Sequence, residues 1–258
     1  MILTGGEMTG AAVATTLIGS HRVTADPDDM LLHYALGEIP CYVSGEGSEV
    51  AWCRHSHRGV HLLSEIKVPK SQRRYVFSPR FEFRIDSAFE EVVRECADLS
   101  RTGFTWITPA LIEGYVRLHR LGFAHSYEAW AEGRLAGGCF GVHVGAWVSV
   151  ESMFHHEAHA SKAAYGRALQ HFKERGVSLV DSNPVADPAR NYGEEWLPQW
   201  QFEERLRSAM ARPLSLIDGG PTPLLPAPVR RLLGLARVVR KVTGRAMPTP
   251  ERTPAEAP

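Results

Sequence analysis

The sequence predicts an α+β fold built around a mixed, mostly antiparallel sheet. The prediction rests on the stretch 105–183, where apolar patterns indicate, in order, a strand, a helix, three strands, a helix and a strand. Capping and turn residues separate these elements at each junction. With 258 residues and 44% apolar composition, the chain is long enough to bury the core of one large domain or two small ones.

The first helix of this stretch is marked at both ends. Thr108 is a favourable N-cap residue, and Pro109 suits the first helical position, where its missing N–H costs no hydrogen bond. Leu111 lies on the apolar face, and Gly122 ends the helix. A short strand that begins at Thr105 is predicted before the helix.

Three strands are predicted after this helix. The segments 125–130 and 134–144 flank the dipeptide Glu-Gly at 132–133, which suits a tight turn, and the third strand spans 146–154. Alternation within the third strand places Glu151 at the end of a strand of mixed exposure.

The last part of the stretch combines a helix with a short strand that ends in an acidic residue. Residues 160–175 are rich in helix formers, and 177–181 form an apolar strand that ends at Asp181. In an extended strand, Asp181 and Asn183 would point to the same side. With Glu151 they are candidates for proton transfer and oxyanion binding, although Asp181 could instead cap a turn.

The regions outside this stretch divide the chain. Composition predicts a flexible arm, a small N-terminal domain, a domain that carries the candidate catalytic residues, and a flexible basic tail rich in Pro, Ala and Arg, at residues 1–24, 25–86, 87–211 and 212–258. The tail could touch RNA, a membrane surface or nothing at all.

A run of cationic and aromatic residues before the central stretch is the best candidate for contact with nucleic acid. Cations can neutralise phosphates, while aromatic rings offer stacking surfaces. The cationic residues are Lys70, Arg73, Arg74, Arg80 and Arg84. The alternative is the solvated face of an amphipathic strand pair. Because the formal net charge is zero, any contact with nucleic acid must rely on such local patches.

Several functional classes find no support in the sequence. The nucleophile elbow, the Walker loop and the dinucleotide fingerprint are absent, and the Cys/His clusters at 41–57 and 155–159 lack zinc spacings, so no metal site is predicted. The four cysteines have no framework spacing and are expected to be reduced thiols. A cytoplasmic location is expected, because neither a cationic signal region nor an apolar run of membrane-spanning length is present.

Several motifs occur together in a characteristic order. They are TWIT at 105–108, YVRLHRLGFAHSYEAW at 115–130, LAGGCFGV at 135–142, ESMF at 151–154, ASKAA at 160–164 and LVD at 179–181. In this order they resemble the leucyl/phenylalanyl-tRNA–protein transferase family of bacteria. The resemblance implies an acetyltransferase-like (GNAT-type) core, preceded by a small N-terminal α+β domain.

The resemblance also implies an activity. The family moves an amino acid from the 3′ end of an aminoacyl-tRNA to the N-terminal amine of an acceptor polypeptide, and forms a peptide bond without ATP. Because the ester is already activated, no cofactor is implied, and the protein must position the amine and stabilise an oxyanion. A monomer is expected.

Roles for individual residues follow from the same resemblance. Asp181 would assist the attacking amine, Glu151 would orient polar groups of the substrate, and Asn183 stands where the family has a glutamine. Trp52 and Trp106 would lie around the terminal adenosine. The apolar pocket for the esterified side chain would be lined by Cys139, Val148, Val150, Met153 and Val180. The cationic run at 70–84 would hold phosphates of the tRNA.

The chain departs from the family at several points. Ile-Pro-Cys at 39–41 replaces Phe-Pro-Trp, Trp-Cys at 52–53 replaces Trp-Trp, and Asn183 is one methylene shorter than glutamine. Two alternatives therefore remain, namely a transferase acting on a non-protein amine in a specialised biosynthetic pathway and a catalytically silent tRNA-binding relative. An acetyl-CoA-dependent enzyme is disfavoured, because no glycine-rich loop for pyrophosphate follows the third strand.

Overall fold

The computed structural model describes residues 15–22, 24–43, 49–61, 68–102, 105–183 and 192–220, together with 222, 229 and 231. The helices are α1 (Pro27–Ala35), α2 (Lys70–Val76), α3 (Phe89–Ala97), α4 (Leu99–Thr102), α5 (Pro109–Arg120), α6 (Ala160–Arg175) and α7 (Gln199–Met210). The strands are β1 (Thr15–Arg22), β2 (Ile39–Val43), β3 (Glu49–His55), β4 (His57–His61), β5 (Glu82–Ile85), β6 (Ala124–Ala131), β7 (Arg134–Val144), β8 (Trp147–His155), β9 (Leu179–Asp181) and β10 (Glu195–Pro198).

The strands form two sheets. The smaller sheet is antiparallel, in the order β1-β3-β2, and the larger has seven strands in the order β10-β4-β9-β8-β7-β6-β5. In the larger sheet only β8 and β9 are parallel, and α6 connects them. The predicted α+β fold with a mixed, mostly antiparallel sheet is therefore confirmed.

Local signals position the elements at the centre of the chain. The Thr108 hydroxyl accepts a hydrogen bond from the Leu111 N–H at 3.3 Å, so the predicted N-cap of α5 is confirmed. Glu132 and Gly133 both have positive φ, of 51° and 75°, which suits the tight turn between β6 and β7. The strand predicted from Thr105 is wrong, because the Thr105 hydroxyl instead captures the N–H of residue 107 in a local turn.

Apolar side chains cover both faces of the larger sheet. On one face α1, α3, α5 and α7 contribute to a core that contains Tyr34, Tyr115 and Trp147. On the other face α6 packs over a second cluster that includes Tyr165 and Val180. The alternating side chains of β7 and β8 supply both cores, as expected for a sheet buried on both sides.

Some expectations for the N-terminal part need correction. Strand β1 lies within the predicted arm 1–24, whereas residues 1–14 lie outside the described ranges. Residues 70–76 form helix α2 instead of the first strand of a pair, since Lys, Gln and Arg favour helix. Strands β4 and β5 join the larger sheet, so pairing crosses the proposed boundary at residue 86. The division into domains stays a prediction, and most of the tail lies outside the described ranges.

The cysteines differ from expectation. Cys41 on β2 and Cys53 on β3 form a disulfide, with their Cα atoms 6.0 Å apart, so the expectation of reduced thiols is wrong for this pair. Cys96 and Cys139 are buried and form no disulfide. The sequence did not reveal the bridge, because it depends on the pairing of β2 with β3. Within the described ranges, no helix combines the length and apolar character needed to cross a membrane.

Candidate active site

A buried ion pair lies at the centre of the site. Asp181 ends β9, and Arg58 comes from the neighbouring strand β4, where Val60 pairs with Asp181. The Arg58 Nε donates to Asp181 Oδ1 at 3.3 Å, and Nη2 donates to Oδ2. The two side chains are 1% and 0% exposed. Burial raises the pKa of Asp181, and the guanidinium opposes this shift by stabilising the carboxylate.

Arg58 has further partners, and sequence reasoning did not single it out. Its Nη2 also donates to Asn183 Oδ1 at 2.9 Å, and its Nη1 donates to the Gly37 carbonyl at 3.0 Å. The guanidinium lies over the ring of Phe202, 4.6 Å from the ring centroid. These contacts join β4, β9, the turn after α1, and α7 around one cation.

The prediction that Asp181 and Asn183 share one face of an extended strand is wrong. Strand β9 ends at Asp181, and Asn183 adopts the left-handed conformation with φ of 60°. Its backbone N–H donates to Asp181 Oδ1 at 3.1 Å, and its Nδ2 donates to the Val150 carbonyl at 3.0 Å. The turn therefore brings both side chains to Arg58, although an extended strand would not.

Glu151 lies in a β-bulge rather than at the predicted strand end. In the register of β7 and β8, Phe140 faces Ser152 and Gly141 faces Val150, so Glu151 is the extra residue. A Cβ on Gly141 would come within 2.3 Å of a carbonyl oxygen of β8, so only glycine permits this approach. The bulge redirects the Glu151 side chain in the middle of a buried strand, which period-two alternation could not reveal.

The Glu151 carboxyl lies in a buried network of hydroxyl groups. The Tyr115 hydroxyl donates to Glu151 Oε2 at 3.4 Å, and it lies 2.9 Å from the Tyr34 hydroxyl. The pKa of Glu151 is raised to about 7, chiefly by burial and also by the negative charge of Asp181, against the opposing effect of hydrogen bonds from Ser149 and Tyr34 and of the Arg58 charge. Glu151 can therefore gain or lose a proton near neutral pH.

Several buried polar atoms around this network lack a hydrogen-bond partner among the described residues. They include Trp52 Nε1 and Trp147 Nε1, whereas the Ser149 hydroxyl has the Glu151 carboxyl as its neighbour. The ring of Tyr34 connects the two tryptophans, at centroid distances of 5.3 and 5.9 Å. Because buried polar groups are rarely left unpaired, a cluster of them points to the binding of a polar ligand.

Trp52 and Trp106, the tryptophans expected around the terminal adenosine, lie on the face of the larger sheet that carries Tyr34 and Tyr115. Trp52 is fully buried, and one of its faces is stacked on His33 with centroids 4.6 Å apart. Trp106 is partly exposed, with its ring edge-on to Tyr115 at 6.4 Å. Trp106 therefore presents an accessible ring near the Tyr115 hydroxyl, whereas Trp52 does not.

The five residues expected to line the side-chain pocket lie together on the opposite face of the sheet. Cys139, Val148, Val150 and Val180 are buried, and Met153 is partly buried against them. Tyr165 of α6 belongs to the same cluster, and its hydroxyl lies 2.8 Å from His61 Nε2. Burial lowers the pKa of His61 to about 4, so this ring is neutral at physiological pH.

The expected tRNA-binding cations fall into two groups. Lys70, Arg73 and Arg74 are exposed on α2. Arg80 instead pairs with Glu157, and Arg84 pairs with Glu82 and stacks over Trp130 at 4.4 Å. Lys162 and Arg167 of α6 extend the first group, since α2 packs against α6. None of these five α2–α6 cations has a carboxylate partner in the described ion pairs, whereas Arg80 and Arg84 each have one.

One cluster has the composition of a metal site. Ligand atoms of Asp86, His119 and His125 lie within 4.8 Å of one another. His125 Nδ1 lies 2.7 Å from Asp86 Oδ2, the Ser126 N–H donates to Asp86 Oδ1, and His119 Nδ1 lies 2.9 Å from the carbonyl of Ala124. Hydrogen bonds within the protein account for this cluster without an ion.

Comparison with known proteins identifies the family. The model of the family described as leucyl/phenylalanyl-tRNA protein transferase matches residues 60–207. The leucyl/phenylalanyl-tRNA–protein transferase of Anaeromyxobacter sp. (strain Fw109-5) is 39% identical over 189 residues, which cover 72% of this chain and 80% of the relative. The protein of the same name from Chlorobaculum tepidum is 34% identical over 191 residues, covering 74% of this chain and 98% of the relative.

Among solved structures, L-PGS from Bacillus licheniformis matches with a TM-score of 0.39 and 12% identity, over 62% of this chain and 51% of that protein. The family match spans more than half of the chain, and the relatives exceed 30% identity over about three quarters of it. The chain therefore belongs to the leucyl/phenylalanyl-tRNA–protein transferase family.

Proposed function

We propose that this chain transfers an apolar aminoacyl group, such as leucine or phenylalanine, from aminoacyl-tRNA to the N-terminal α-amine of an acceptor protein. Membership of the family supports this reaction class. The observation that carries the proposal is the buried arrangement of Arg58, Asp181 and Asn183 beside Glu151, a carboxyl whose pKa is raised to about 7. We place the reaction in the cytoplasm, with the protein acting as a monomer.

The reaction replaces an ester bond by a peptide bond. The amine nitrogen attacks the ester carbonyl carbon, and the carbonyl oxygen gains negative charge in the tetrahedral intermediate. The bond from this carbon to the ribose oxygen then breaks. The proton released by the attacking nitrogen is the one that the ribose oxygen must gain, so a single group can accept and return it.

Glu151 is the carboxylate best suited to carry this proton. Its carboxyl is buried beside Asp181 and Arg58, its Oε2 accepts a hydrogen bond from Tyr115, and hydrogen bonds from Ser149 and Tyr34 also orient it. Because burial raises its pKa to about 7, it can accept a proton from an amine and return it to an alkoxide within one cycle. The resemblance had given Glu151 only an orienting role.

Asp181 is better suited to electrostatic support than to proton transfer. Its Oδ1 accepts hydrogen bonds from Arg58 Nε and from the Asn183 N–H, and its Oδ2 accepts one from Arg58 Nη2. A guanidinium does not lose its proton in proteins, so a fully buried Arg58 keeps its carboxylate partner ionised. Asp181 would therefore assist the amine by holding its neighbours in place.

Asn183 is oriented as a hydrogen-bond donor. Its Oδ1 accepts from Arg58, so its NH₂ group points the other way, and one of the two N–H groups donates to the Val150 carbonyl. The second N–H can donate to the developing oxyanion. The left-handed backbone at Asn183 provides the turn by which this short side chain meets Arg58 and Val150.

The remaining predicted residues would serve binding. We propose that the esterified side chain packs against the buried cluster around Val148 and Val180 at Val150, whose carbonyl accepts a hydrogen bond from Asn183, because an apolar group gains most from an apolar surround. The exposed cations of α2 would bind tRNA phosphates together with Lys162 and Arg167. Trp106 would stack against the terminal adenosine.

The direct test mixes the purified chain with Leu-tRNA or Phe-tRNA that carries a radiolabelled amino acid, and with a reporter peptide that has an N-terminal Arg. The same peptide with an acetylated N-terminus is the matched control. We expect label on the free peptide only, and none from free amino acid plus ATP. Transfer to small amines without labelling of the peptide would support a non-protein acceptor. No consumption of any aminoacyl-tRNA would support a silent relative.

A further inference from the structure

We infer that Arg58 is a positioning residue for aminoacyl transfer, which holds the Asp181 carboxylate and the Asn183 amide in one arrangement and fastens both to the turn after α1. The inference rests on the proposed function and adds to it a residue that neither the motifs nor the family resemblance singled out. Arg58 does not need to touch the substrate in this role.

The contacts of Arg58 require a guanidinium. Nε and Nη2 donate to the two carboxylate oxygens of Asp181, Nη2 also donates to Asn183 Oδ1, and Nη1 donates to the Gly37 carbonyl. A planar fork with five N–H groups can make these bonds at once, whereas a lysine ammonium is a point charge with a different reach. Because Arg58 is only 1% exposed, solvent does not supply the bonds that a shorter side chain would lose.

The contact with Asn183 fixes which end of the amide faces the substrate. The guanidinium only donates, so the amide oxygen must point toward it and the NH₂ group must point toward Val150. Without Arg58 the amide can rotate by half a turn and present its oxygen to the reaction. An oxygen would repel the oxyanion that an N–H stabilises, so Arg58 determines whether the Asn183 amide attracts or repels the oxyanion.

The contact with Gly37 connects the two halves of the site. The Gly37 carbonyl also accepts a hydrogen bond from Gln199 of α7 at 3.0 Å, so the turn after α1 is held from two sides. Helix α1 carries Tyr34, whose hydroxyl bonds to that of Tyr115, the partner of Glu151. One buried cation therefore links the Asp181 side of the site to the elements that support Glu151.

Arg54 provides a matched control. It lies on β3, its Nη2 donates to the Leu36 carbonyl in the same turn at 3.1 Å, and its Nε lies 3.4 Å from Glu203. None of its described contacts involves Asp181 or Asn183. Arg54→Lys thus makes the same chemical change beside the same turn without touching the proposed arrangement.

The experiment compares wild type, Arg58→Lys and Arg54→Lys in the transfer assay, with kcat and KM measured separately for aminoacyl-tRNA. We expect Arg58→Lys to lower kcat by about 100-fold, as a displacement near one ångström can, with KM changed less than about threefold. Arg54→Lys should stay within about twofold of wild type in both constants. Wild-type kcat in Arg58→Lys, or an equal loss in Arg54→Lys, would overturn the inference.

A second variant guards against a failure to fold. Removing Arg58 alone leaves a buried charge unpaired, but Arg58→Met combined with Asp181→Asn removes both charges. We expect this double variant to unfold cooperatively and bind tRNA like wild type, yet to lack transfer. Wild-type transfer by the double variant would contradict the positioning role. Absence of transfer by wild type itself would instead refute the proposed function.

Discussion

Replacing Glu151 by glutamine should stabilise the protein at alkaline pH while it slows transfer by about 100-fold or more. Burial raises the pKa of Glu151 from an ordinary 4.5 to about 7. Below pH 4.5 the carboxyl is protonated in both the folded and the unfolded chain. Between these values the unfolded chain has released the proton and the folded chain keeps it, so stability falls as the pH rises through this window. The full loss corresponds to about 3 kcal/mol of unfolding free energy.

Glutamine has almost the same shape and no proton to lose, so Glu151→Gln should escape this loss. We take the difference in free energy of unfolding, measured with urea, between the variant and wild type. This difference should be about 2 to 3 kcal/mol larger at pH 8 than at pH 5. Any packing difference between the two side chains adds equally at both pH values and cancels. Glu113→Gln is the control, because Glu113 is exposed on α5 and carries no burial cost. An advantage of Glu151→Gln that does not depend on pH would refute a buried, proton-binding Glu151.

Further predictions concern the bulge, the cationic surface and the disulfide. Gly141→Ala should lower the free energy of unfolding by about 1 to 3 kcal/mol and slow transfer, because its Cβ would meet a β8 carbonyl at 2.3 Å; unchanged thermal unfolding would contradict this close approach. Replacing Arg73 and Arg74 by alanine should weaken tRNA binding in a filter-binding assay, and the slope of log affinity against log salt concentration should fall by about one per lost phosphate contact. Arg84→Ala should change affinity and slope little, because the Arg84 guanidinium already pairs with a carboxylate. Reducing the bridge between β2 and β3 should lower stability in urea by about 3 kcal/mol, and equal midpoints with and without reductant would argue against the bridge.

Local chemistry explains why much of the fold could be predicted. The N-cap of α5 depends on Thr108 and its immediate neighbours, and the turn between β6 and β7 depends on two adjacent residues that tolerate positive φ. Such signals act over three or four residues, so the sequence displays them directly. The same holds for α6, whose glycine at 176 ends the helix in the left-handed conformation.

The parts of the site that sequence reasoning missed depend on distant partners. Arg58 and Asp181 are 123 positions apart, and their ion pair exists only because β4 and β9 are neighbours in the sheet. The bulge at Glu151 depends on the close approach of Gly141 on another strand. One available signal was Gly141, the third glycine within the predicted strand 134–144, since glycines inside strands often mark bulges or close backbone contacts.

The measurement that tests the role of Glu151 most directly is the pH dependence of the single-turnover transfer rate with saturating aminoacyl-tRNA. The rate should rise with pH to a plateau, with a midpoint near 7, because Glu151 must be ionised to accept the proton of the amine. The midpoint should stay the same for two acceptors whose amines differ in pKa but both titrate below about 6, because an ordinary α-amine with a pKa near 8 is still an ammonium in this window and cannot attack. Glu151→Gln should be slower by about 100-fold or more. A midpoint that moves with the acceptor, or a Glu151→Gln variant that keeps the wild-type rate, would contradict Glu151 as the proton carrier.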